Sequence, residues 1–155
     1  MLLRTHLAFG LLVGLLSLNY LNVPSTYLFI IMVCFASALP DIDESDSRIG
    51  RKIRPISWFI EKVFGHRNVF HSIFPLLAMF ITFFYILKWN VAGTAFLLGY
   101  SGHLFIDMFT YMGIGLLHPL YKGRITGFIK TGGIVEHVLF FILIFANILV
   151  LGWFF

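Results

Sequence analysis

With 155 residues, 59% of them apolar, only 12% charged and nineteen of them phenylalanine, the chain carries more apolar surface than a soluble domain of its length can bury. A mean hydropathy of +0.93 makes the bilayer its natural solvent. The net charge of +4 reads as membrane topology rather than nucleic-acid binding, and the single Cys34 excludes disulfides and CxxC metal or redox motifs.

Five apolar segments follow one another: Thr5–Tyr20, Pro24–Leu39, Val69–Leu87, Val91–Tyr111 and Ile134–Phe155. A span takes about 20 residues, so the last three fit and the first two need flanking residues or a thinned bilayer. The first segment has the look of a signal peptide but no small-x-small cleavage site after it, and it reads as a retained membrane helix. Leu21–Val23 and Lys88–Asn90 make tight turns; Pro40–Asn68 and the glycine-rich Met112–Gly133 make long connections. Within the first of these, PISWFIEKVF places Ile56, Phe59, Ile60 and Val63 at helical spacing, with Ser57, Glu61 and Lys62 opposite. That pattern predicts a short helix lying in the membrane surface with Trp58 at headgroup depth. The expected fold is all-α: one polytopic membrane domain over residues 1–155, with about five transmembrane helices and the short interfacial amphipathic helix.

Five spans put ten of the eleven Lys and Arg residues on the side of the N-terminus, leaving only Lys88 opposite. The positive-inside rule then predicts a cytoplasmic N-terminus, cytoplasmic long connections and an external C-terminus. The same topology gathers all seven acids and all six histidines on or near the cytoplasmic side, and that rule does not require this. His6 begins the first segment, Asp41 and Asp43 close the second, and His71 lies in the first turn of the third. In GYSGHLFIDMFT, His103 and Asp107 stand at i and i+4 on one helical face, and Glu136 and His137 open the last segment. An Asp near a helix centre costs roughly 2.5–3.5 kcal/mol on insertion scales, so groups at five helix ends are expected to offset one another's burial.

A divalent cation does this best. Imidazole nitrogens and carboxylate oxygens suit zinc, manganese or iron without any thiolate. Other readings fit less well. DIDESD opens like a calcium loop, but Asp46 stands where glycine is required and Lys52 where the bidentate acid belongs. Haem leaves the acids unexplained, and a proton or ion path asks for polar residues through the whole membrane depth. His118 and His137 read as solvated interfacial side chains. Gly10 and Gly14 read as helix-packing positions.

THLAFG at 5–10, LPDID at 39–43, GHRNVFHS at 65–72, GYSGHLFIDMFT at 99–110 and GIGLLHP at 113–119 occur in an order that resembles the YdjM family of inner-membrane proteins, to which metal-dependent hydrolysis is ascribed. The resemblance runs from His6 to about Glu136. It implies a polytopic helical protein with a His/Asp site at the cytoplasmic face of the cell membrane. Carried over position by position, that site comprises His6, Asp41, Asp43, His66, Arg67, His71, His103 and Asp107, with Glu136 added at the start of the final helix. Phe70 stands where the family commonly has Thr, His118 where Trp often precedes Pro, and Gly102 separates Ser101 from His103.

The expectation is a membrane-embedded metal-dependent hydrolase acting on a lipid-borne or phosphoester substrate. His6, Asp41, His71, His103, Asp107 and Glu136 are its candidate ligands, His6 either on the same ion or in a second metal site, with zinc first among the ions. Asp43 or His66 is the candidate general base, and Arg67 the candidate phosphate clamp. The alternative is a non-catalytic metal-binding membrane protein serving as sensor, regulator or assembly factor; a transporter stands further off. The bilayer is the expected partner, a homo-oligomer is compatible with the sequence, and GHRNVFHS is read as a site segment rather than a helix cap.

Overall fold

The computed structural model describes residues 1–43, 51, 54–55, 57–58, 62 and 69–154. The described residues are helical throughout their regular structure. Helix α1 covers Leu3–Ser17, and α2 covers Thr26–Ala36 and leads into a 3-10 turn at Pro40–Asp43. Helix α3 covers Ile73–Phe80 and continues as a π-helical segment over Ile81–Ile86; α4 covers Asn90–Asp107 and α5 covers Ile134–Phe154. Two isolated β-bridges, Thr110 with Ile129 and Ile114 with Ile125, fold the connection between α4 and α5 back on itself.

Local chemistry explains the boundaries. The Ser25 hydroxyl accepts from Leu28 N at the start of α2, and the Ser72 hydroxyl accepts from Phe74 N at the start of α3. Pro75 falls in the first turn of α3, where a missing N–H costs nothing. GHRNVFHS therefore ends in a helix cap as well, one residue after His71. Helix α1 stops at Ser17, three residues short of the apolar run that marks it, because Leu18–Leu21 fold back in a turn onto Ser17 and its neighbours.

Helix α1 packs against α2, α4 and α5, while α4 packs against α1, α2 and α3. Phe29, Val33 and Ala95 close the interface of α2 with α4; Tyr100, Leu104 and Ile114 form a second core; Met1, Ile106 and Ile129 form a third beneath the α4–α5 connection. At Gly99 the backbones nearly touch: a Cβ there meets the Val33 carbonyl oxygen at 2.2 Å. At Gly10 it meets the Ser37 side chain at 2.7–2.8 Å, which accords with a packing role for this glycine.

The stretches Thr26–Asp43 and Ile134–Trp153 are long and apolar enough to cross a membrane; Leu3–Ser17 and Ile73–Ile86 are shorter apolar helices. Ile134–Trp153 has a mean hydropathy of 2.5 with 17% of its residues buried, so its apolar faces turn outward rather than into a core. Tyr20, Tyr27, Tyr85, Trp89 and Trp153 are all exposed and sit at one end of the bundle, at the finish of α1, α3 and α5 and the start of α2 and α4. Of the expected surface helix, Ile56, Phe59, Ile60, Glu61 and Val63 lie outside the described residues. Trp58 is exposed under the Lys62 ammonium, whereas Ser57, expected on the polar face, is buried with its hydroxyl donating to the Arg54 carbonyl.

Candidate metal centre

The end of the bundle opposite those aromatic residues gathers the chemistry. Helices that alternate in direction bring the starts of α1, α3 and α5 together with the finishes of α2 and α4. His6, Asp41, Asp43, His71, His103 and Asp107 meet there, each 4% exposed or less. Two groups have ligand atoms within 4.8 Å of one another: His6, Asp41 and His103, and His71, His103 and Asp107.

Each histidine is aimed by what holds its other nitrogen. His71 Nδ1 lies 3.2 Å from Asp43 Oδ2; a carboxylate only accepts, so Nδ1 carries the hydrogen and Nε2 presents its lone pair. His103 Nδ1 donates to the Ser37 carbonyl at 2.8 Å, with the same consequence. The backbone around His71 is also fixed: the Tyr100 hydroxyl donates to the Phe70 carbonyl, and Ile73 N donates to the Leu116 carbonyl at 2.9 Å.

The two Nε2 atoms stand 3.2 Å apart, and each lies 3.7 Å from Asp107 Oδ2. Asp41 Oδ1 is 3.7 Å from His103 Nε2. Two imidazole nitrogens this close together beside a carboxylate call for a positive charge that both can reach. His6 lies 3.4 Å from Asp107 Oδ1 through Nε2, yet neither of its buried ring nitrogens has a hydrogen-bond partner. Orphaned imidazole nitrogens, converging acceptors and an all-N/O donor set fit a divalent ion of the zinc, manganese and iron group. The Met1 ammonium, which donates to Asp107 Oδ1, is a cation already present in the cluster.

Glu136 is not part of it. Its Oε1 accepts from Leu2 N and from the Thr5 hydroxyl at 2.9 Å, and its Oε2 accepts from Gly132 N, so the carboxylate ties the start of α5 to the start of α1. His137 Nδ1 donates to the Gly133 carbonyl. His118 is half-buried, and its Nδ1 has no hydrogen-bond partner. His66 and Arg67 lie outside the described residues. Nothing in the amino-acid sequence singles out the Ser37 carbonyl or the Met1 ammonium as members of the cluster.

An all-helical, lipid-suited bundle with a buried His/Asp cluster able to hold a metal ion at one end defines a class of helical membrane protein. The chain belongs to the YdjM inner membrane protein family, whose profile matches residues 1–154. Among its relatives, the protein YvsG of Bacillus subtilis (strain 168) is 38% identical over 102 residues, which cover 64% of this chain and 63% of the relative. The inner membrane protein YdjM of Escherichia coli (strain K12), like that of Shigella flexneri, is 37% identical over 86 residues, covering 52% of this chain and 44% of the relative. The chain thus aligns with about half to two thirds of the length of these relatives. No solved structure matches it.

Proposed function

We propose that this protein is a membrane-embedded metal-dependent hydrolase with its site at the cytoplasmic face, acting on a lipid-borne phosphoester. The observation that carries the reading is the pair of buried Nε2 lone pairs 3.2 Å apart beside Asp107, each ring fixed through its Nδ1. His71, His103, Asp107 and Asp41 would be the ligands of the centre, with zinc the first candidate, and His6 would serve either the same ion or a second one. Bound there, a divalent ion supplies Lewis-acid polarisation of the scissile group and a water acidified toward neutrality.

The protein's own groups do the rest. Asp43 holds the tautomer and angle of His71, which leaves the general-base role to His66. Arg67, next to it in the chain, clamps a phosphate bidentately. Location supports the substrate class: with five spans and a cytoplasmic N-terminus, this end of the bundle would lie at the headgroup level of the inner leaflet, where a phosphoester on a lipid presents itself.

Elemental analysis of the detergent-purified protein, with His71→Ala and His103→Ala beside it, tests the centre. The wild type is expected to carry a transition metal that both variants lose, and a wild type that stays metal-free after metal is added back removes the reading. Arg67→Ala then separates hydrolase from binding module. It should keep the metal and lose hydrolysis of phospholipid or polyprenyl-phosphate substrates, whereas a non-catalytic metal protein is indifferent to it.

A further inference from the structure

Asp107 divides its oxygens between different histidines. Oδ2 lies 3.7 Å from His71 Nε2 and from His103 Nε2, while Oδ1 lies 3.4 Å from His6 Nε2 and accepts from the Met1 ammonium. His71 and His103 can share one ion. Their rings meet at 66° with Nε2 atoms 3.2 Å apart. Two nitrogens bound to one tetrahedral ion at about 2.0–2.1 Å stand about 3.3 Å apart.

His6 cannot join them on that ion. Its ring lies within 7° of parallel to His103, with centroids 3.6 Å apart. Rings in van der Waals contact at that distance have little lateral offset, so their planes are nearly as far apart as their centroids. An imidazole binds a metal in its own plane, along the nitrogen lone pair. An ion in the plane of His103 therefore stands about 3 Å or more off the plane of His6, well beyond a bond of about 2.0–2.1 Å. Nor can His103 serve two ions, because its Nδ1 is committed to Ser37.

Building on the metal-centre reading above, we propose that the cluster is a two-ion centre bridged by the Asp107 carboxylate. His71, His103 and Asp107 Oδ2 hold the first ion. His6, Asp41 and Asp107 Oδ1 hold the second, and the Met1 ammonium withdraws from Oδ1 when that ion binds. Ring planes stacked about 3.6 Å apart would keep two in-plane ions at least about that far from each other, which is compatible with the spacing of about 3.5–4 Å at which paired ions clamp the attacking and leaving oxygens of an in-line phosphoryl displacement. This gives His6 a role that a one-ion site does not: its buried Nδ1 has no hydrogen-bond partner, and its Nε2 faces Asp107 Oδ1 at 3.4 Å, the oxygen with which it would share an ion. One imidazole with two carboxylates makes the second position the harder of the two, suited to manganese or iron as well as zinc.

The test uses the full-length protein in detergent, stripped by chelator and titrated with Mn(II), with metal counted by elemental analysis and spin coupling read by electron paramagnetic resonance. The wild type is expected to bind about two equivalents and to give the exchange-coupled spectrum of a close pair. His6→Ala and His6→Gln should each drop to about one equivalent, with the hyperfine pattern of an isolated Mn(II). One uncoupled equivalent in the wild type overturns the pair but leaves the metal-centre reading standing; no bound metal overturns both. Retention of a coupled pair by either His6 variant also overturns it. The wild-type count and spectrum decide the matter even if neither variant folds.

Discussion

His71 and His103 each use Nδ1 to grip a fixed acceptor, Asp43 and the Ser37 carbonyl, and that grip directs the Nε2 of two otherwise flexible side chains. Asp43 supplies the charged half of the arrangement. Asp43→Asn keeps the volume and one acceptor but removes the charged partner that fixes the His71 ring and its tautomer, and such changes typically cost 10–100-fold in metal affinity. Chelator competition on the purified variant should therefore show its metal released at about 10–100-fold lower chelator strength; an unchanged affinity rules out the positioning role. The cluster itself was readable because its members are side chains of rare type for a membrane chain, placed at helix ends, with His103 and Asp107 already on one face. The Ser37 carbonyl was not readable, since any residue offers the same backbone acceptor. Glu136 entered the candidate set through its place at a helix start. The structure gives its oxygens to Leu2, Thr5 and Gly132 instead, and only three-dimensional proximity distinguishes the two fates.

The helices that carry these residues are held at close range by missing side chains. A Cβ on Gly99 falls 2.2 Å from the Val33 carbonyl oxygen and 2.8 Å from Ala36 Cβ, so α2 and α4 must move apart to admit it. Gly99→Ala gains up to about 1 kcal/mol of helix propensity, but overpacking against backbone costs about 1–3 kcal/mol. Because α2 leads into the turn that carries Asp41 and α4 carries His103, the displacement also spreads the ligands. Thermal unfolding in detergent should show a lowered Tm for Gly99→Ala together with reduced metal content. At Gly102→Ala, the new methyl meets only the edge of the Phe9 ring at 3.3 Å and should change little. Equal behaviour of the two variants counts against the packing argument. Long apolar runs made the helices readable, but their ends were not: leucine and tyrosine continue past Ser17 without any change of composition, and the turn there is made by backbone hydrogen bonds.

At the scale of the molecule, one geometric condition links topology to the site. Residues from the starts of α1 and α3 and the finishes of α2 and α4 meet only if the helices run alternately up and down, so the cluster and the alternation stand or fall together. Exposed Tyr20, Tyr27, Tyr85, Trp89 and Trp153 mark the other end, where amphipathic rings suit a membrane–water interface. On the proposed five-span topology the Lys88 turn and the C-terminus would share one side and the cluster would lie on the other, the side on which the positive-inside rule expects the Lys and Arg residues to face the cytoplasm. Helices α1 and α3 are short for a full crossing. The 15 residues of α1 rise only about 22 Å at 1.5 Å per residue, against a hydrocarbon core of about 30 Å. Local thinning of the bilayer would resolve such a mismatch at modest cost and, on the proposed function, would bring lipid headgroups toward the cluster. Cysteines placed singly at Lys88 and Tyr121 in a Cys34→Ser background provide the check in intact cells. An impermeant maleimide should label the Lys88→Cys protein from outside, and should label the Tyr121→Cys protein only after the membrane is opened. Labelling of Tyr121→Cys from outside would reverse the orientation and move the site to the outer leaflet; protection of both positions would mean that α3 and α4 do not complete their crossings.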